Sequence, residues 1–333
     1  MAAQRVAARN GRRDSEQEFG TNPCSEIILR PNQFCNLTEV VVRAEDTLDD
    51  LKEKVRKAAI LGTLQATLTD FRYLRGIWKK NTEEEALLGL SLTGIMDHPV
   101  LSGINDSMDT LNLEQWLTEM KEVAIETNKD WANRLGINPA AAVTCVKPSG
   151  TVSQLVNSAS GIHPRFSPYY IRTVRADVKD PLAQYMVNAG FPHEVDVTKD
   201  SNLVFSFPVS SPEGSVCTSD VGAMEQLRLW AIYQEHWCEH KPSITVYYRD
   251  GEFLDIANWL WNNFNNVSGI SLLPYSDHTY QQAPYQEVTQ EAYEALKSEM
   301  PDFDWLAAAK FESGIDSTIG SQELACMGSS CEL

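Results

Sequence analysis

The sequence predicts an α/β fold, a parallel sheet or barrel with helices between its strands. Three observations lead there. Short apolar runs at 142–146, 170–174, 203–207, 244–248 and 269–273 read as strands. Helical patterns near 180–190, 221–239, 252–264 and 288–299 intervene between or follow them. The chain has 333 residues, 43% hydrophobic and 22% charged, enough to bury a large core as two domains or one barrel.

Residues 1–19 hold little apolar content and read as a loose lead-in. The Pro- and Asn-rich stretch 20–46 reads as a loop ending in a short strand at Glu39–Val42. Thr47 with Asp50 is an acidic variant of the capping-box signal and opens a helix. Leu48, Leu51, Val55, Ala58, Ala59 and Leu61 keep helical spacing, and the helix is expected to run to about Leu74. Thr82 with Glu85 opens another by the same signal, to about Met96, and a third spans Leu113–Arg134. The run 142–146 leads into the turn KPSGT and a short helix. After about Asp316 the chain is Gly/Ser-rich and reads as a mobile arm, 316–333.

Composition excludes several classes. With 28 bases and 46 acids the net charge is −18, against a binder of nucleic-acid polymers or anionic membranes. No run of 18 apolar residues is present, so no membrane helix is expected. Residues 1–13 carry four arginines but lack the apolar stretch of a secretory signal. Seven cysteines, an odd number without such a signal, argue against a disulfide scaffold and for a cytoplasmic chain with reduced thiols.

Asn22-Pro23-Cys24-Ser25-Glu26, with Cys35 beyond, is the first chemical constellation. In an extended loop Cys24 and Glu26 project to one side, a thiol beside a base. Taken alone, the tripeptide is more often a surface loop with a buried cysteine; the whole segment through FCNL counts against that. The second is Lys147-Pro148-Ser149-Gly150-Thr151, with Ser153 following. Glycine, hydroxyls and helix-start amides can hold a phosphate, although many such turns simply cap a helix. From 131 to 176 there is no acid, while Arg134, Lys147, Arg165, Arg172 and Arg175 make the segment +5, an electropositive island expected to mark an anion site. The third is Cys326 and Cys331 near the C-terminus, a pair able to exchange with a buried disulfide. Zinc is a rival, but two thiolates lack two further ligands. His236 and His240 stand at i, i+4 but read as ordinary helix residues, and Cys145 and Cys217 as small core residues.

Taken together, GTNPCSEIIL with FCNL, then CVKPSGTVSQLVNSASGIHPRFSPYYIRTVR, SITVYY, LLPYSDHTYQQAPY and a terminal C-x4-C resemble the adenosylcobalamin-dependent (class II) ribonucleotide reductases. The likeness runs from about Gly20 to the C-terminus. Asn22-Pro23-Cys24 differs from the Asn-Leu-Cys typical of class I chains, and Ser25 stands where many class II members have Gly.

The resemblance implies the second half of the ten-stranded α/β barrel of ribonucleotide reductases over 20–315, with a central finger loop at 20–37. It implies adenosylcobalamin as cofactor and a ribonucleotide as substrate. Cys24 would carry a thiyl radical that takes the 3′ hydrogen, and Glu26 would be the base at the 3′ hydroxyl. Asn22 would bind the sugar. Cys35 would be one of two reducing thiols, re-reduced by Cys326 and Cys331, with a thioredoxin-like or small dithiol as the outside reductant. Lys147, Pro148, Ser149, Gly150, Thr151 and Ser153 would hold the phosphates.

In that family the finger cysteine lies mid-chain; here it is residue 24. The expectation is therefore one chain of a split enzyme, needing an N-terminal reductase chain as partner, with 1–13 as non-homologous sequence at the break. A catalytically inactive, nucleotide-binding remnant is the alternative, and a thiol–disulfide exchange protein the third reading.

Overall fold

The structure is a computed structural model that describes residues 2–104, 107–275, 281–312, 326, 327, 330 and 331. Chain order begins with α1 (Ala2–Ala8), β1 (Gly20–Thr21), β2 (Ile28–Leu29), β3 (Asn36–Val41), α2 (Leu48–Gln65) and α3 (Gly76–Glu85). Then come β4 (Leu88–Thr93), α4 (Ser107–Leu135), α5 (Thr151–Leu155), β5 (Tyr169–Asp177), α6 (Pro181–Ala189), β6 (His193–Val195) and β7 (Asn202–Ser210). The rest is α7 (Ala223–His236), β8 (Thr245–Tyr248), α8 (Phe253–Asn262), β9 (Ser271–Pro274), β10 (Tyr285–Glu287), α9 (Gln290–Glu299), α10 (Trp305–Glu312), β11 (Cys326–Met327) and β12 (Ser330–Cys331).

The expected single body over 20–315 divides into two compact units, Met1–Arg165 with Gly214–Tyr275, and Phe166–Glu213 with Ser276–Leu333. The first contains a parallel succession. β3 pairs with β4 from Asn36↔Leu88 to Val41↔Thr93. Single parallel bridges, Leu90↔Thr144 and Val146↔Pro242, continue it through 142–146 and 242–244. β8 then pairs parallel with β9, Thr245↔Ser271 onward. Leu88, Leu90, Leu92, Val146, Ile244 and Val246 face the helices, packing with Leu51, Val55, Leu117, Leu227 and Trp230 in one buried core. Side chains alternate along a strand. Gly89, Ser91, Cys145, Lys147, Lys241, Ser243 and Gly269 therefore stand on the opposite, inner face.

The second unit corrects the all-parallel expectation. β5 and β7 are antiparallel, Tyr169↔Ser210 to Asp177↔Asn202, in a sheet of order β10-β5-β7-β6. Phe191, Phe205 and Ala183 make its separate core. The helix α6 returns the chain so that β6 runs in the direction of β5, and the hairpin from β6 into β7 then makes β7 antiparallel to both.

Three further expectations change. The helix drawn from Thr82 to Met96 is the end of α3 followed by β4. Thr82 sits in the last turn, its carbonyl accepting from Ala86 N–H, and Ala86 turns left-handed (φ 42°) to stop the helix. All six β4 residues are buried, and its strand signal is the alternation of Leu88, Leu90 and Leu92 with the small residues Gly89, Ser91 and Thr93. The Thr47–Asp50 capping box does form, but α2 stops at Gln65 rather than Leu74.

The lead-in at 1–19 is docked rather than loose. α1 buries Val6 and Ala7 against Ile28. Arg13 forks onto Glu85 (2.9 and 2.7 Å) and donates to Ile28 O at 2.9 Å. Asn10 reaches Ala141 O, and Arg12 reaches Glu239. The redox arm expected at 316–333 lies outside the described residues, apart from a backbone ladder with Cys326 opposite Cys331.

Candidate active site on the hairpin tip

β1 and β2 form an antiparallel hairpin, Gly20↔Leu29 and Thr21↔Ile28, whose tip is Asn22–Ile27. The tip is a turn, not the extended loop expected. Ser25 N–H donates to Asn22 O at 2.9 Å, and Asn22 Oδ1 accepts from Ile27 N–H at 3.0 Å. Ser25 has φ 64°, the left-handed region where glycine fits without strain and a serine costs about 1–2 kcal/mol.

The inner face of the first unit holds this tip. Ser243 Oγ donates to Cys24 O at 2.7 Å, and Lys241 N–H donates to Glu26 O at 3.0 Å. Small inner-face residues make the room. A Cβ on Gly89 would lie 2.4 Å from Leu37 Cδ2, 2.8 Å from Ile27 Cδ1 and 3.3 Å from Cys35 Sγ.

Glu26 is completely buried. Its Oε1 accepts from Lys147 Nζ at 3.1 Å, while Oε2 has no hydrogen-bond partner among the described residues. Burial pulls the Lys147 pKa down, but the Glu26 charge and hydrogen bond, with Cys24 and Cys145, outweigh it and leave the pKa above the ordinary value. Cys35 is half-buried; burial pushes its thiol well up, with Arg13 opposing and Glu26 reinforcing the shift. The structure thus brings Cys24 and Glu26 within electrostatic reach of Lys147, and Cys35 within reach of Glu26.

The 147–153 turn is partly committed elsewhere. Ser149 Oγ donates to Glu39 Oε2 at 2.8 Å, and burial raises the Glu39 pKa. Ser153 is buried, its hydroxyl bonded to the carbonyl of Ser149. Gly150 and Thr151 are exposed, and α5 has no side-chain cap.

The electropositive island is not one. Arg134 pairs with Asp130, Lys147 with Glu26, Arg165 with Asp97 and Arg175 with Asp196, while Arg172 lies over Tyr285. Charge counted along the chain omits carboxylates that arrive from other segments.

Several residues of the site escaped the sequence reading. His240 is wholly buried beyond the end of α7, its Nδ1 accepting from Ile28 N–H (3.3 Å) and its Nε2 donating to Leu88 O (2.9 Å). It ties the hairpin to β4. His236 ends α7 beside Thr118 and Glu114, and no cluster of three metal-ligating side chains occurs among the described residues. Lys241, Ser243 and Arg13 carried no local signal, because their partners lie dozens of residues away.

The two buried histidines set an acid limit. Burial depresses the pKa of His240 to about 3 and of His163 to about 4. The unfolded chain protonates near the ordinary histidine value while the folded chain does not, so stability falls with pH below about 6.5. Between pH 7 and 5 each histidine is expected to cost about 2 kcal/mol. Urea unfolding at the two pH values measures this; equal midpoints would contradict it.

No protein-family model matches the chain. It is 29% identical over 300 residues to an adenosylcobalamin-dependent ribonucleoside-triphosphate reductase of Lactobacillus acidophilus, covering 83% of this chain and 40% of that protein. The reductase of the same name from Lactobacillus helveticus is 30% identical over 301 residues, with the same coverage. A crystal structure of a B12-dependent (class II) ribonucleotide reductase superposes with a TM-score of 0.73 at 23% identity, over 89% of this chain and 44% of that one. The chain thus spans less than half the length of the relatives it matches. No helix among the described residues is long and apolar enough to cross a membrane. The chain is a relative in sequence of the adenosylcobalamin-dependent ribonucleoside-triphosphate reductases and shares its fold with a class II ribonucleotide reductase.

Proposed function

We propose that this chain is the catalytic half of a split ribonucleotide reductase, turning ribonucleoside di- or triphosphates into 2′-deoxyribonucleotides together with an N-terminal reductase chain. The observation that carries this is the hairpin tip, with a half-exposed thiol at Cys24 beside a buried carboxylate whose Oε2 lacks a partner. The parallel succession from β3 to β9 supports half of a ten-stranded barrel, with the hairpin as its finger loop.

The donor set fits adenosylcobalamin as cofactor, since a thiol and a carboxylate are closed-shell groups and neither can start C–H homolysis. When bound, that cofactor supplies the one-electron oxidant for Cys24. Cys24 takes the 3′ hydrogen of the ribose. Glu26 Oε2 accepts the 3′-hydroxyl proton, and the Asn22 amide donates to the sugar while its Oδ1 holds Ile27 N–H. The 2′ hydroxyl leaves as water with one proton from the reducing dithiol, the dithiol's other hydrogen goes to C2′, and Cys24 returns its hydrogen to C3′. Two electrons come from Cys35 and a second thiol on the partner chain, which end as a disulfide. Cys326 and Cys331 exchange with that disulfide and are renewed by a thioredoxin-like or small dithiol reductant.

In this reading the phosphates meet the exposed backbone of Gly150 and Thr151, with Pro148, Ser149 and Ser153 shaping the turn and Lys147 serving Glu26.

Mixing the purified chain with an N-terminal class II reductase chain, adenosylcobalamin, a dithiol and a ribonucleotide is expected to yield deoxyribonucleotide. Product must require both chains; none from the complete mixture would favour the inactive remnant.

A further inference from the structure

The proposed reaction uses the carboxylate of Glu26 and leaves that of Glu39 without a role. Glu39 stands in β3 opposite Ser91. Its neighbour Val40 faces the helices, so Glu39 points to the inner face. Its Oε2 accepts from Ser149 Oγ at 2.8 Å. The same Ser149 Oγ accepts from Ser153 N–H at 3.2 Å. That is the bond a capping hydroxyl makes, and Gly150, at the N-cap of α5, has no side chain to make it. Beside Glu39, Ser91 Oγ accepts from Lys147 N–H at 2.8 Å. The far end of α5 is held from the same strand: Arg43, just beyond β3, donates to Val156 O at 2.6 Å and to Asn157 O at 3.1 Å. The turn and α5 are thus fastened to β3 and β4 at both ends, within the first unit.

A serine hydroxyl has a single hydrogen. Ser149 is buried and gives its hydrogen to Glu39, so it has none for a phosphate oxygen. The bond instead fixes which side of Ser149 Oγ meets Ser153 N–H. Glu39 Oε1 is buried without a hydrogen-bond partner among the described residues, a cost to folding that an apolar residue at 39 would not carry. The contribution of Glu39 is therefore the placement of Ser149 rather than stability.

We propose that Glu39 is a positioning residue for the phosphate turn: its Oε2 holds Ser149, Ser149 caps α5 through Ser153 N–H, and the exposed main chain of Gly150 and Thr151 is presented to the substrate's phosphates. This rests on the reading of that turn as the phosphate site. The acceptor oxygen does this work, not the charge, because a carboxylate's charge opposes a phosphate.

The test compares Glu39→Gln with Glu39→Met in the full-length chain. Both remove the charge, and only Gln keeps an acceptor for Ser149. One readout is amide hydrogen exchange at Ser153, with Leu90 N–H, bonded to Val143 O, as the control. The other is a titration with inorganic tripolyphosphate, followed at the amide resonances of Gly150 and Thr151. Glu39→Gln should keep the Ser153 protection and bind tripolyphosphate at least as tightly as the wild type. Glu39→Met should exchange about tenfold faster at Ser153, with Leu90 unchanged, and bind about tenfold more weakly than Glu39→Gln. Equal affinities in the two variants overturn the proposal, as does Ser153 exchange in Glu39→Met at the wild-type rate. Tripolyphosphate that leaves Gly150 and Thr151 of the wild type unmoved defeats the reading of the turn as the phosphate site, and the proposal with it. Should Glu39→Met not fold, Ser149→Ala removes the same link at unchanged charge and is held to the same losses against the wild type.

Discussion

Replacing Cys24 by serine is expected to abolish deoxyribonucleotide formation in the two-chain mixture while leaving the chain folded. Serine differs by one atom, and a hydroxyl cannot replace the thiol as a radical carrier because its O–H bond is much stronger. The loss should exceed about 10³-fold, the scale seen when a single reacting group is removed from a catalytic unit. Stability should hold, because Cys24 is only half-buried and its structural bond, from Ser243 Oγ, goes to the main-chain carbonyl. Unfolding midpoints within about 0.5 kcal/mol of wild type are the control. An active Cys24→Ser enzyme would remove the radical role from this residue. A variant that unfolds would instead move Cys24 from the chemistry into the scaffold.

The second large effect concerns Arg13, in the stretch that composition marked as loose. Its side chain is 1% exposed and forks onto Glu85, which also accepts from Gln33 Nε2 at 2.6 Å. Its third bond, to Ile28 O, fastens the returning strand of the hairpin. Arg13→Ala leaves a buried carboxylate without its counter-charge and should destabilise the chain by about 3–5 kcal/mol. Arg13→Met with Glu85→Leu removes both charges and should recover most of that loss, since a buried pair contributes little beyond what apolar packing offers. Chemical denaturation of the single and double variants measures both effects. A single variant within about 1 kcal/mol of wild type would mean that the first residues do not brace the hairpin.

Much of the site was legible because its chemistry is local. Asn22, Cys24 and Glu26 fall within five residues, and a turn of that length brings a thiol and a carboxylate together whatever surrounds it. The capping box at Thr47 was legible for the same reason: both of its bonds span three residues. The failed counterpart at Thr82 shows the limit of such signals. The same residue spacing occurs at the end of a helix, and only the left-handed Ala86 and the partners of β4 on both sides decide that a strand follows.

The antiparallel β5–β7 pair, the docking of residues 2–13 and the charge of the 131–176 segment were decided by the tertiary structure. Asp97 reaches Arg165 and Glu26 reaches Lys147 from 68 and 121 residues away, so four of the five bases of that stretch are paired with acids in the fold. By itself the sequence determined the candidate reactive groups and the resemblance they carry. The folded chain determined how those groups are held: the carboxylate paired with Lys147, the hairpin tied down by Arg13 and His240, and the glycine that leaves room for the Lys241 ammonium. Short-range bonds are written into neighbouring residues, whereas burial and counter-charge depend on which distant segments pack together.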